Sequence, residues 1–491
     1  MSEGNRLPIT GRWKFLIFSN FSLACATLLF IFSFAADETI LVATSLISLL
    51  NFSILLALIF KNNKHFFLLS LPILFNFFWF SLSTFLLELG SYTPELRLVG
   101  NATGATSRIS LFFITFLLSA FYVYNLGNNR SLTTKRISDF RCTSFIAGLL
   151  SLTTIISITY FLYGTAFSNL VDRIVFRQEI APAYFLPILT ALVLSAYYTG
   201  TLVRYYSERE KFRSRFIFFI FLTGLALIIL AGEKMSALLV TLSLYLAGYF
   251  EPNRKPMRIG RPLPFLRLYP VVCISAITIL FLGLAVRQYA QIAGSFDFGL
   301  IYSLIEDRIV QQGQLNYAAD KYTFLGTAEP WGLHDFLSKE ILAENDNLKG
   351  VVGLMHTFAP PDLFDIYEAA GVTFGDGFPG VLYVYFGLWS YALAPLAGLF
   401  LGALLRGLSA TGSSNGYVYS VSLFFLLYNS ALSAFLNGNF WAFFSLSPSK
   451  LAALLIVITT LAARLYNRHT VYRRLCRTGH SPHSEHKLGQ C

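Results

Sequence analysis

Arginines at the edges of apolar runs are the residues of this chain best equipped for chemistry. A charge kept close to lipid is costly, so one retained there is a functional candidate by default. Arg287 closes one apolar run, and Arg308 follows in EDRIVQQG. A guanidinium fork matches phosphate oxygens in two-point geometry. These two could hold an anionic group at a membrane surface and stabilise negative charge developing there. The plainer readings are a snorkelling anchor for Arg287 and local pairing of Arg308 with Glu306 and Asp307. Arg173 and Arg177, in SNLVDRIVFRQEIAP, share one helix face. They could grip a diphosphate together, or pair with Asp172 and Glu179. Glu233 and Lys234 sit on a short turn between two apolar runs, able to line a cavity or to pair with each other. His356, in GLMHTFAPPDLF, could take a proton from an attacking hydroxyl, with His334 a weaker second. Asp362, Asp365, Glu368 and Asp376 crowd the approach to the next apolar run, and Glu368 or Asp376 could serve in place of His356. A structural His356 and a simply solvated acidic face are the bland alternatives. Arg97 and Arg108 read as interface anchors, and His469, His480, His483 and His486 as tail residues rather than a metal site.

What must position these residues is a bundle of helices in a membrane. Of 491 residues, 55% are hydrophobic and 13% charged, with a mean hydropathy of +0.59. A soluble domain carries about 25% charged residues, so a soluble enzyme and a disordered chain are both excluded. Apolar runs long enough to cross a membrane fall near 15–35, 40–60, 66–89, 109–127, 142–164, 182–203, 216–231, 235–250, 268–286, 379–405, 417–436 and 450–466. The first is longer than a signal-peptide core and the second follows at once, so it reads as a retained anchor. With the N-terminus inside, segments 1–14, 61–65, 128–141, 204–215, 251–267, 406–416 and 464–491 also lie inside. They hold 26 of the 37 basic residues but only six of the 26 acidic ones. That is the positive-inside pattern, and the net charge of +11 reports orientation rather than nucleic-acid binding.

The expected organisation is therefore all-α and polytopic. Residues 1–286 carry transmembrane helices one to nine, 287–378 a large hydrophilic loop on the outer face, 379–466 helices ten to twelve, and 467–491 a basic cytoplasmic tail. The loop holds 13 acidic and five basic residues. Its stretches VRQYAQIAG and LIEDRIVQQGQLNYAADKY read as helices, and Gly371, Gly375, Gly377, Pro379 and Gly380 let the chain bend sharply into the tenth run. The five cysteines form no C-x-x-C pair, so neither a disulfide framework nor a zinc site is indicated. A phosphate-binding Walker loop and H-E-x-x-H are both missing. No internal repeat is apparent, which argues against transporters built from repeated halves.

Three stretches resemble bacterial O-antigen polymerases of the Wzy type and the related oligosaccharide repeat-unit polymerases. They are LAGEKMSALLVTLSLYLAGYF, the ninth run ending in Arg287 followed by DRIVQQG, and TFGDGFPGVLYVYFGLWSYALAPLAGLFLGALLR. The first has Glu-Lys where Arg-containing turns are common in that family. The likeness covers roughly residues 216–410. It implies a GT-C-like fold of about twelve helices with a large, partly helical periplasmic loop, in the bacterial inner membrane with both termini cytoplasmic. It implies a glycosyltransferase joining undecaprenyl-diphosphate-linked oligosaccharide units, without metal, nucleotide or other cofactor. A Wzz-type chain-length regulator is the expected partner. On that reading Arg287, Arg308 and His356 are catalytic, and Arg173, Arg177, Glu233, Lys234, Glu368 and Asp376 bind substrate. An O-antigen ligase of the same superfamily and a lipid-linked oligosaccharide flippase are the alternatives.

Overall fold

A computed structural model describes residues 9–126, 139–163, 180–207, 209–230, 235–251, 298–326, 329–342, 348–369, 373, 375–412 and 417–477. Eleven of the twelve apolar runs are helices there; the run at 268–286 lies outside the described residues. Eight come first: α1 (Ile9–Phe32), α2 (Glu38–Asn62), α3 (Lys64–Glu88), α4 (Ala105–Asn125), α5 (Asp139–Tyr163), α6 (Phe185–Ser207), α7 (Lys211–Leu230) and α8 (Met235–Tyr249). Side-chain caps set two of the starts. The Asp37 carboxylate accepts from the Thr39 amide at 2.8 Å, and Asn63 Oδ1 from the Phe66 amide at 3.0 Å. Among the described residues, seven helices are long and apolar enough to cross a membrane. The chain is an all-α polytopic membrane protein; among the described residues, one short ribbon pairs β1 (Tyr92–Thr93) and β2 (Leu98–Val99).

The second half begins with α9 (Phe298–Asp320), a hydrophilic helix. After a wide π-type turn at Lys321–Leu325 come α10 (Gly332–Asp335), prolonged by π-type turns at Phe336–Leu342, then α11 (Val351–Phe358) and α12 (Pro361–Ala369). The chain returns through α13 (Gly380–Phe386), a 3-10 turn at Gly387–Trp389 and α14 (Ser390–Gly412). It ends with α15 (Tyr417–Leu423), a π-type turn at Phe424–Tyr428, α16 (Asn429–Asn437) and α17 (Pro448–Arg477). The helix expected across LIEDRIVQQGQLNYAADKY is thus present, except that its last residues enter the π-type turn. VRQYAQIAG lies outside the described residues.

Two features fix the frame. A Cβ on Gly398 would lie 2.1 Å from the Phe116 carbonyl oxygen, and one on Gly402 2.2 Å from that of Ala120. Only glycine permits so close an approach of α14 to α4. The contacts advance together along both helices, so α4 and α14 run parallel. Beside them, aromatic rings interlock: Phe77 stacks on Phe113 at 3.9 Å, and Phe378 packs against Phe77, Phe112, Phe116 and Phe435 at 5.4–5.7 Å.

A second, smaller core lies over one end of the bundle. Leu96 of the ribbon connection meets Leu315 and Ala319 of α9, Leu354 of α11, Phe364 of α12, and Val381 and Tyr385 of α13. We refer to this as the cap end. At the opposite end, the buried His65 ring sits between two phenols, with Nδ1 2.5 Å from Tyr124 Oη and Nε2 3.3 Å from Tyr197 Oη.

Candidate functional site

The residues that carry charge at the cap end sort by the two faces of α9. One face is locked into the bundle. Gly104 precedes α4 with φ of +75°, and a Cβ there would lie 2.3 Å from the Ser33 carbonyl oxygen. That tight turn sets Arg108 one turn into α4, fully buried against Asp320, the last residue of α9. Arg108 Nε donates to both carboxylate oxygens at 3.0 and 3.1 Å, and Nη2 to Oδ2 at 2.5 Å. Nη1 donates to the Ser33 carbonyl at 3.0 Å, and the guanidinium lies 5.1 Å from the Phe34 ring and 5.6 Å from the Phe324 ring. Burial pushes the Asp320 carboxyl above its ordinary value, and the guanidinium draws it back.

Neighbouring contacts complete the lock. Ser83 Oγ of α3 donates to the Val310 carbonyl at 2.7 Å and accepts from the Gly313 amide at 2.9 Å. Tyr317 Oη donates to the Asn101 carbonyl at 2.8 Å, and burial raises this phenol. The buried Glu88 carboxylate accepts from Thr106 Oγ1 at 2.6 Å and from the Thr103 amide and hydroxyl at 3.3 Å.

This corrects the expectation for Arg108. It is no interface anchor. Its donors face Asp320 and Ser33, so it braces α9 and does not present a fork to an anion. Arg97 does lie at the surface, with φ of +50°, and pairs with Asp362 at 2.5 Å, tying the ribbon to α12.

The other face of α9 is open. Arg308 is exposed, and its one hydrogen bond among the described residues runs from Nη1 to Gln311 Oε1 at 2.9 Å. Gln311 Nε2 in turn donates to Glu95 Oε1 at 2.5 Å. Local pairing with Glu306 and Asp307 is not what holds Arg308: Glu306 accepts from Ser91 Oγ at 3.0 Å instead. Tyr367 completes the group electrostatically. Burial raises its phenol and Glu95 adds to the rise, while Arg308 works the other way.

Glu368 is exposed beside Tyr367 on α12. Asp376 is half-buried, and its backbone is held two ways. Its amide donates to the Gln312 carbonyl at 3.3 Å, and its carbonyl accepts from Asn316 Nδ2 at 3.2 Å. Asn316 Oδ1 also accepts from the Gly380 amide at 2.7 Å, so one buried side chain clamps the turn that leads into α13. The Phe378–Pro379 peptide in that turn is cis.

Of the residues expected from sequence, Arg308 thus stands exposed on α9, Glu368 stands exposed on α12 next to Tyr367, and Asp376 lies in the turn that Gln312 and Asn316 of α9 hold by its backbone. His356 is exposed on α11, its ring edge-on to Phe364 of α12 at 5.1 Å. His334 is exposed on α10, 3.6 Å from Asp335. Arg173, Arg177, Glu233, Lys234 and Arg287 lie outside the described residues. No three His, Cys, Asp or Glu side chains converge as a metal site among the described residues.

Several members of the site were missed from sequence. Gln311 bonds to Arg308 and in turn to Glu95, Asp320 and Asn316 tie α9 to α4 and to the turn before α13, and Glu88 holds the start of α4. Glu340 is buried too, accepting from the Gly350 amide at 2.9 Å and from Tyr385 Oη at 3.3 Å. Gln311 had a signal, three residues from Arg308 on one helix face. The rest are brought in by distant segments.

A family described as of unknown function (DUF6418) matches residues 344–448. The match takes in His356, Glu368 and Asp376 and leaves out Arg308 and α9. No curated protein and no solved structure matches the chain.

Proposed function

We propose that this protein is a membrane glycosyltransferase of the lipid-linked oligosaccharide polymerase type. On this reading it has twelve transmembrane helices in a GT-C-like arrangement in the bacterial inner membrane, with both termini cytoplasmic and the cap end periplasmic. The observation that carries the reading is the two-faced α9. A buried ion pair and the Ser83 and Asn316 hydrogen bonds fix the helix, while its open side holds an exposed arginine that donates to Gln311, which in turn donates to Glu95.

The chemistry follows from that arrangement. A growing glycan leaves its undecaprenyl diphosphate as the anomeric C–O bond breaks, and the bonding pair goes to the diphosphate oxygen. Arg308, with Arg287, opposes that charge more strongly in the transition state than before it. Glu368 or Asp376, or His356 across the cap, accepts the proton of the incoming sugar hydroxyl that forms the new bond. Arg173, Arg177, Glu233 and Lys234 remain proposed substrate contacts, and a Wzz-type protein the proposed length regulator.

The test is the surface glycan profile of a deletion strain carrying Arg308→Ala or Arg287→Ala at normal protein levels. The expected profile is a lipid core with a single repeat and no ladder. Normal ladders in both variants overturn the proposal, and a bare lipid core points to a ligase instead.

A further inference from the structure

The stretch Gly332–Leu342 carries apolar side chains on two sides. Inward, Phe336 packs on Tyr385, Phe386 and Phe440 at 5.4, 5.1 and 5.6 Å, and Glu340 is buried. Outward, Leu333, Leu337 and Leu342 are 60%, 42% and 71% exposed. The first two are four residues apart. The third follows five further on, through wide turns bonded i to i+5, so all three keep to one side. Charged flanks accompany them, with the Lys339 ammonium 4.6 Å from the Trp331 ring.

The level of this stretch relative to lipid can be read from α14. Its 23 residues reach about 34 Å, enough to cross the hydrocarbon unaided. The preceding turn must then sit at the water–lipid boundary, and there Leu388 and Trp389 are 63% and 78% exposed. Phe444 and Leu446 are exposed in the turn before α17. In the adjoining Phe440–Phe443 turn, Lys349 lies 4.4 Å from the Trp441 ring. Phe336 touches Phe386, the residue just before the first turn, and Phe440 in the second, so its own stretch lies at about the same height. Exposed leucines with tryptophan and lysine alongside are the composition of an interfacial segment.

We propose that Gly332–Leu342 lies in the cap-side leaflet, with Leu333, Leu337 and Leu342 among acyl chains and Lys339 reaching toward lipid phosphates. The occupant of this face is the phospholipid that already surrounds the spans. The proposal is independent of the glycosyltransfer reading.

The experiment uses the full chain with its native cysteines replaced, reconstituted in phospholipid nanodiscs. A nitroxide is placed by Leu337→Cys and, in a second sample, by Leu333→Cys. Leu50→Cys in α2 serves as a lipid reference and Asp365→Cys as a water reference. Relaxation by oxygen is compared with relaxation by a soluble nickel chelate. Oxygen-to-nickel ratios at 333 and 337 several-fold above that of 365, and close to that of 50, are expected. Ratios equal to that of 365 overturn the proposal. So does spin–spin broadening at both positions, which places a second copy of the chain on this face.

Discussion

Arg97 and Arg108 look alike in the sequence, and the structure gives them opposite environments. The Arg108–Asp320 pair is wholly buried, whereas Arg97 and Asp362 are both more than half exposed. Removing one partner of a buried pair leaves the other charge stranded. Arg108→Ala or Asp320→Ala is therefore expected to cost about 3–5 kcal/mol, read as a large fall in Tm of the detergent-solubilised chain. Arg97→Ala should cost less than about 1 kcal/mol. Arg108→Met combined with Asp320→Leu should recover most of the loss, because an apolar pair of similar bulk needs no compensation. Equal losses at the two sites would refute this account. The pairing was not legible from sequence because its members stand 212 positions apart. For Arg308 the sequence offered Glu306 and Asp307 as partners, whereas the bond it makes is to Gln311, one turn along the same helix face.

At the scale of elements, the apolar runs announced helices but not all of their ends: the run at 379–405 breaks at Gly387–Trp389 into α13 and α14, and α17 continues to Arg477, past the expected end at 466. The identity of neighbours was hidden, since nearly every run is apolar on all sides and points to no preferred face. Glycine supplies that information at α4 and α14. Gly402→Val forces a side chain into the Ala120 carbonyl and should prevent accumulation of folded protein. Gly407→Ala, with nothing within 4 Å of the added carbon, should leave the yield of monodisperse protein in size-exclusion chromatography unchanged. Comparable losses from both would show that close approach does not fix this packing. The cap was legible only in part. The helical pattern of QQGQLNYAAD anticipated α9, but its second core is assembled from the ribbon, α11, α12 and α13, which share no local signal.

For the molecule as a whole, charge was the most informative sequence feature. The basic segments anticipated one end of the bundle and the acidic block the other, and the described residues agree. Asp365 lies on the cap, while Arg209 follows α6 at the end where His65 meets Tyr124 and Tyr197. A membrane-impermeant maleimide applied to sealed vesicles should thus reach a cysteine at Asp365→Cys or at Arg209→Cys, never both from one side. Labelling of both from the same side would break the topology. The aromatic interlock around Phe378 could not have been foreseen, because rings abundant along the chain meet there only once the turn before α13 is in place.

The distance along the chain between Arg108 and Asp320 also sets a timetable for biosynthesis. At about 5–20 residues per second, the ribosome takes roughly ten to forty seconds to deliver the carboxylate after the guanidinium has emerged. Throughout that interval α4 offers an uncompensated cation to the insertion machinery. Nascent chains truncated at residue 300 should therefore be degraded faster in pulse–chase than chains truncated at residue 330, the first of which lack the counter-ion and the second of which carry it. Equal half-lives would mean that the cell shelters the early charge by other means.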